Sequence, residues 1–377
     1  MPSSLGTQGL VIKEAESLKP YTTFKIGGPA RYFARTALVE DFRGVLSFSS
    51  KVSLPLFVLG GGSNILVSDC GYNGVVVHPN CRGLEVQTDN AEWVMLEVSA
   101  AEPWDDLVRH VVEHHWWGIE NLSHIPGQAG AALVQNIGAY GQQVSDVVVS
   151  ARVMKIATGE ILNITAAECG FGYRRSIFNT SARGQLIIVG LTLRLAKREQ
   201  PRLDYPDVMA HFQERAIQRP SLLEIRQAII TIRDRKFPFP RDEHGGNAGS
   251  FFKNVTLSAE EYDTLHAMVQ RNFPQSDLTR LEDLRNRFPG DQGGIRIPTA
   301  FLITICGLKG HRIGGAQVNE TQPLVLLNQG GATSQDVLAL ARHVRRTVHA
   351  RTGVALAIEP ELVGFEKRDL DYLYSLE

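Results

Sequence analysis

Between two apolar runs, residues 54–59 and 65–67, the chain carries Gly60-Gly61-Gly62-Ser63-Asn64. Three glycines allow φ > 0 and a close approach of backbone, and the amides of such a loop can converge on an anion. A plain hairpin between two strands fits the same letters. What the loop excludes is sharper. A GxGxxG dinucleotide fingerprint fails because Ile65 stands where the last glycine belongs, and GxxxxGK[ST] occurs nowhere.

Two more stretches have this small-residue character. Residues 125–141 read Ile125-Pro126-Gly127-Gln128-Ala129-Gly130-Ala131-Ala132-Leu133-Val134-Gln135-Asn136-Ile137-Gly138-Ala139-Tyr140-Gly141. They are too apolar for a linker, and fit either a tightly packed helix or a backbone that lies against a flat or extended ligand. Residues 245–254 read Gly245-Gly246-Asn247-Ala248-Gly249-Ser250-Phe251-Phe252-Lys253-Asn254. They make either a turn leading into a buried strand or a loop that brings the Ser250 hydroxyl to a partly dry place.

With 377 residues, 43% of them hydrophobic and 21% charged, the chain has material for two or three globular domains. A net charge of −1 gives no global case for binding nucleic acid or an anionic membrane. Cys70, Cys81, Cys169 and Cys306 show no CxxC spacing, which fits a reduced, cytoplasmic setting without disulfides or a zinc knuckle. His114 and His115 are adjacent, so they point to different faces and form no metal pair; no metal site is expected. Residues 1–20 lack a signal-peptide pattern, and no run approaches a membrane span.

Along the chain, residues 1–18 read as an irregular start. Gly27-Gly28-Pro29 turns into an extended segment. Strands are expected at 74–78 and 93–98, a helix at 102–115, a hairpin at 147–164 and a strand at 186–195. Residues 198–219 read as irregular. Residues 222–235 form an amphipathic helix that Phe237-Pro238-Phe239-Pro240 stops. Ser258-x-x-Glu261 and Thr333-x-x-Asp336 are capping boxes, the second opening a helix whose apolar face is Val337, Leu340, Ala341, Val344 and Val348. Between them lie a charged loop at 274–296, a short helix at 298–306 and a strand at 324–327. Tyr173-Arg174-Arg175 sets two arginines among aromatics, an arrangement that favours an anion. Glu359-Pro360-Glu361 puts two carboxylates on one face of an extended segment, or on an exposed edge.

In order, TTFKIGGPA, LGGGSNILVSD, QNIGAYG, YRRSIF, GNAGSFFKN, LKGHRIGGAQV, TSQDV and EPE closely resemble the UDP-N-acetylenolpyruvoylglucosamine reductase family, from about Tyr21 to Phe365. Tyr205 points to the longer family subtype, with an interdomain tyrosine. The resemblance implies an α+β fold with a two-part FAD-binding region of the vanillyl-alcohol-oxidase/PCMH type and a C-terminal α+β substrate domain. The implied parts are 1–75, completed by 362–377, then 76–200 and 201–361. It implies an FAD-containing, NADPH-dependent cytoplasmic enzyme of peptidoglycan precursor synthesis, hence of cell-wall biogenesis, cell shape and division. FAD receives a hydride from NADPH and passes it to the enolpyruvyl ether of UDP-N-acetylglucosamine enolpyruvate, giving UDP-N-acetylmuramate. Ser250 matches the proton donor, Arg174 the cation at the substrate carboxylate and Glu361 the catalytic glutamate. Tyr205, Lys236, Asn254 and Gln322 match sugar-nucleotide contacts. FAD contacts fall on Gly60, Gly61, Gly62, Ser63, Asn64, Gly127, Gln135, Asn136, Gly138, Ala139, Tyr140 and Gly141. A monomer is expected, with no nucleic acid or membrane partner. The alternatives are another FAD oxidoreductase of the same flavin-binding fold and a non-enzymatic sugar-nucleotide or anion-binding protein.

Overall fold

A computed structural model of the chain describes residues 10–236, 239, 245–287 and 294–376. Packing divides it into two compact units, one of Met1–Glu16, Ala30–Gly61 and Tyr72–Phe239, the other of Ser17–Pro29, Gly62–Gly71 and Pro240–Glu377.

The first unit holds two sheets. One orders Ile12–Ser17, Pro29–Thr36, Tyr72–Pro79 and Leu56–Val58, the last three strands running parallel. Parallel neighbours need covered faces, and residues 75–77 are all fully buried. Helix Val39–Lys51 sets Phe42 and Val45 into the same small core as Val75 and Val77. The irregular start expected at 1–18 is in part the first strand of this sheet.

The other sheet is antiparallel, in the order Ile161–Thr165, Val148–Lys155, Leu186–Ala196, Trp93–Ser99 and Leu84–Asp89. Trp93–Ser99 alternates half-buried and buried residues, the period-2 signature of one covered face. Val94, Leu96 and Val98 meet Leu191, Leu193 and Leu195 in a large core. Helix Trp104–Glu113 adds Trp104, Leu107, Val108 and Val111 to it. Helices Pro206–Gln213 and Leu222–Lys236 add Val208, Phe212, Ile225 and Ile229. Residues 206–213 are therefore helical where an irregular stretch was expected. The same burial carries the packing boundary beyond 200 to 239, across the expected division. Phe237, Pro238 and Pro240, the expected helix stop, lie outside the described residues.

The second unit is built on the sheet Gly246–Ser250, Val325–Asn328, Ala316–Val318 and Arg312–Ile313. Helix Ser334–Thr352 packs Val337, Leu340, Ala341, Val344 and Val348 into the core with no exposure at any of the five. Thr333 accepts from the Asp336 amide, completing the expected capping box, and Gly353 ends the helix at φ 74°. Ser258 caps Ala259–Asn272 in the same way. The expected loop at 274–296 is replaced by helix Gln275–Arg287, which buries Leu278 and Leu281, and strand Ile295–Ile297; residues 288–293 lie outside the description. Phe24, Ile26 and Leu66, from early in the chain, belong to this core, as does Leu373 of the final helix, so the C-terminal segment packs here.

Candidate active site

The first unit brings the stretches 134–143 and 172–179 together by side-chain bonds to backbone. Asn136 Nδ2 donates to the Gly172 carbonyl at 3.2 Å, and its Oδ1 accepts from the Ser145 amide at 3.0 Å. Ser176 Oγ donates to the Val134 carbonyl at 2.7 Å. Arg174 Nη2 donates to the Gly138 carbonyl at 3.2 Å, and Asn179 Nδ2 donates to the Arg174 carbonyl at 3.1 Å. Arg174 is half-buried while Arg175 is exposed. The two arginines that the sequence left side by side are thus told apart by backbone: Arg174 sits at φ +52°, turning its guanidinium in under the Tyr173 ring, 5.7 Å from the ring centre.

Gly138–Ala139 pairs with Gln142–Gln143 across a two-residue turn, Tyr140-Gly141, with φ of +49° and +84°. Turns with both central residues at positive φ normally carry Asn-Gly or Gly-Gly. A tyrosine there costs about 1–2 kcal/mol in backbone strain. Asn136, Tyr140 and Arg174 all occupy this unfavourable region, and strain of that kind persists where surrounding structure over-determines it.

Polar groups under the turn supply the determination. Glu120 and Asn121 are wholly buried, and Gln142 is 3% exposed. Asn121 Nδ2 donates to the Tyr140 carbonyl at 2.7 Å and the Arg202 carbonyl at 2.8 Å. Gln142 Oε1 accepts from the Asn121 amide at 2.8 Å, and its Nε2 donates to Glu120 Oε1 at 2.6 Å. Burial pushes the Glu120 carboxyl above the usual carboxylate range. Sequence reasoning missed these three residues; the only local trace is a charged residue inside the apolar run from Trp116 to Leu122.

Tyr140 meets Tyr205 edge to face, ring centres 5.2 Å apart, and Lys236 Nζ lies 5.4 Å from the Tyr140 ring centre. Burial pushes both phenols up, so each stays a neutral donor at neutral pH. Lys236, in the last turn of its helix, pairs with Asp207 at 2.6 Å, in the first turn of the helix that Tyr205 opens. Each charge thereby sits at the helix end whose dipole favours it. Three of the expected residues, Tyr140, Tyr205 and Lys236, therefore form one cluster.

The glycine-rich stretches also meet. A Cβ on Gly61 would lie 2.6 Å from Gly127 Cα, and one on Gly60 would lie 3.2 Å from Ala131 Cβ. Close backbone contact explains the glycine at 61. Among the described residues, the amides of Gly60, Gly61 and Gly127 donate to no protein acceptor. Free amides on a backbone stripped of side chains suit a pyrophosphate. The hairpin alternative for 60–64 is ruled out, because Leu56–Val58 pairs with Tyr72–Pro79, and Ile65–Val67 pairs with Glu361–Val363. Residues 129–134 form a short buried helix, as one of the two sequence alternatives allowed. Gln135, Gly138 and Ala139 are half-buried beside it.

In the second unit, Gly246–Ser250 pairs with Val325–Asn328, with an irregular register between Asn247 and Ser250. Gly249, at φ +69°, makes the irregularity, and its amide donates to Asn247 Oδ1 at 2.9 Å. A bulge of this kind re-aims the next side chain. Ser250 is half-exposed beyond it, while Phe251 and Phe252 are fully buried. A bond from the Glu359 amide to the Phe251 carbonyl, 2.9 Å, sets the 357–361 segment alongside. The Glu361 amide donates to the Asn64 carbonyl at 3.0 Å. Glu361 opens the parallel strand paired with Ile65–Val67, whereas Glu359 precedes it, so the two carboxylates do not share a strand face. Gln322 lies in the turn before Val325, the partner of Ser250. Asn254 Oδ1 accepts from the Thr299 amide at 3.1 Å. Gly62 accepts from the Thr23 amide, and Ser63 adjoins it.

An α+β chain with amide-lined glycine loops and no dinucleotide fingerprint fits a flavoprotein, and the FAD binding domain model matches residues 30–165. The model of the UDP-N-acetylenolpyruvoylglucosamine reductase C-terminal domain matches residues 240–363. The reductase of that name from Burkholderia vietnamiensis is 38% identical over 364 residues, covering 96% of this chain and 99% of its own. That from Chromobacterium violaceum is 37% identical over 344 residues, covering 91% and 96%. The chain belongs to the UDP-N-acetylenolpyruvoylglucosamine reductase family. The crystal structure of the Thermus caldophilus reductase shares the fold, with a TM-score of 0.61 at 24% identity, covering 94% of this chain and 99% of that one.

Proposed function

We propose that this chain reduces the enolpyruvyl ether of UDP-N-acetylglucosamine enolpyruvate to UDP-N-acetylmuramate, with FAD as bound cofactor and NADPH as reductant. The near-full-length relationship to reductases of that name carries the reading. It takes Gly60–Asn64, Gly127 and residues 135–141 as the flavin-binding loops, and residues 201–361 as the substrate part.

Bound FAD supplies hydride chemistry at the terminal carbon of the enol ether. The chain's residues handle the charge and proton that remain. Arg174, held at its loop by Gly138, offers a fixed cation to the substrate carboxylate and to the negative charge that develops beside it. Glu361 completes that end as a hydrogen-bonding partner. Ser250 holds the proton delivered to the carbon next to the carboxylate. Tyr205, Lys236, Asn254 and Gln322 orient the sugar nucleotide, with Asp207 fixing Lys236. No helix among the described residues is long and apolar enough to cross a membrane. We place the enzyme in the cytoplasm as a monomer, serving cell-wall synthesis and hence cell shape and division.

The test is anaerobic mixing of yellow purified protein with NADPH, followed by the enolpyruvyl sugar nucleotide. Bleaching and then recovery of flavin absorbance, with a product two mass units heavier than substrate, is expected. Bleaching without recovery assigns the chain to another flavoprotein activity. Protein without bound flavin favours a simple binding role.

A further inference from the structure

Past the end of the strand Leu186–Ala196 the chain bends at residues 197–198 and runs on. Arg194, Ala196, Arg198, Gln200 and Arg202 line one open cavity of about 370 Å³ in the first unit. Their odd-numbered neighbour Leu195 turns into the core, and Lys197 turns away to pair with Asp89. Trp93 and Trp117 line the cavity too, and two backbone bonds between Trp117 and Ala196, of 2.7 and 3.0 Å, fix its floor. Tyr140, Tyr205 and Lys236 do not line it, although Gln142, from the base of the 138–143 turn, does.

Its charges are unevenly matched. Arg202 Nη1 donates to Asp146 Oδ2 and to the Gly141 carbonyl, both at 2.9 Å. Glu92 is the remaining acid in the lining. Among the described residues, the guanidiniums of Arg194 and Arg198 have no ion-pair or hydrogen-bond partner. Arg194 and Arg198 both line the cavity, and their planar forks match phosphate oxygens. Half-buried Trp93 offers an aromatic surface beside that wall. The volume lies in the range of small-ligand pockets.

We propose that this cavity binds a phosphate-bearing nucleotide, with the phosphate on Arg194 and Arg198 and the base against Trp93. The site goes beyond the reductase reading and does not depend on it.

Adenosine monophosphate is the probe, titrated into FAD-loaded protein while tryptophan fluorescence is followed. A saturable change with half-saturation below about 1 mM is expected, with inorganic phosphate competing. Arg194→Ala/Arg198→Ala should raise half-saturation at least about tenfold while flavin absorbance and reductase turnover stay as in the parent, since both residues are exposed. Arg174→Ala should leave the response intact, which separates this cavity from the candidate active site. The proposal is overturned if there is no saturable change, if the double variant responds as the parent does, or if Arg174→Ala abolishes the response.

Discussion

The turn at 138–143 in the first unit and the strand Gly246–Ser250 in the second present their side chains by opposite means. The turn is irregular and strained, and is held by side chains: Asn121, Asn136 (to Gln143 Oε1), Gln142 and Arg174 each bond to it or from it. The strand is held by its own backbone, through the sheet and through Thr23, whose carbonyl accepts from the Asn247 amide at 3.1 Å and whose Oγ1 donates to the Asn247 carbonyl at 2.6 Å. A site element fixed by side chains can be loosened residue by residue. One fixed by a ladder tolerates side-chain truncation and fails when its backbone is displaced.

The largest expected effect tests what the ladder-held element presents. Ser250→Ala should slow flavin re-oxidation by the enolpyruvyl substrate by about 10²–10⁴-fold, the usual worth of a positioned proton donor. Reduction by NADPH should stay near the parent rate; stopped-flow traces in which both half-reactions fall together remove Ser250 from that role. Next, Arg174→Ala should lower kcat/KM by about 10²–10³-fold, as loss of one preorganised charge-stabilising donor does. Arg175→Ala, at an exposed position, should change little, and the reverse ranking would show that backbone direction at residue 174 was misread.

The third contrast probes the ladder itself. A Cβ on Gly246 would sit 2.1 Å from the Phe24 carbonyl oxygen, whereas one on Gly249 meets nothing within 4 Å. Gly246→Ala should therefore cost about 3 kcal/mol or more by overpacking. Gly249→Ala should cost about 1–2 kcal/mol through its positive φ alone. Denaturant unfolding of the flavin-loaded protein measures both, and equal costs would mean that the strand is not fixed as described. The last contrast concerns the side-chain-held turn. Asn121→Ala leaves two carbonyls without their donor and should cost about 1–3 kcal/mol, with a raised KM for the sugar nucleotide. An unchanged KM would show that the turn keeps its shape without this support.

Periodicity and caps made the regular elements legible. The helix Ser334–Thr352 could be read from Thr333, Asp336 and its apolar stripe because each signal is local. Helix Gln275–Arg287 was not, because it is polar nearly all round and buries few residues. Arg174 and Ser250 entered as candidates through family resemblance alone, whereas the half-burial of Arg174 beside an exposed Arg175 goes with a positive φ that no letter encodes. Glu120, Asn121 and Gln142 were hidden for another reason. Their bonds run from Asn121 to Tyr140 and Arg202, which are 19 and 81 positions away, and only the fold brings those carbonyls within reach.

The second unit has a consequence for synthesis. Its core takes Phe24, Ile26 and Leu66 from the first fifth of the chain, and Asn328 Nδ2 donates to the Phe24 carbonyl across 304 positions. At about 5–20 residues per second, ribosomal synthesis leaves those early apolar residues without their final neighbours for tens of seconds. The nascent chain must carry them exposed until its last third emerges, so shielding by a chaperone should matter more for this unit than its size suggests.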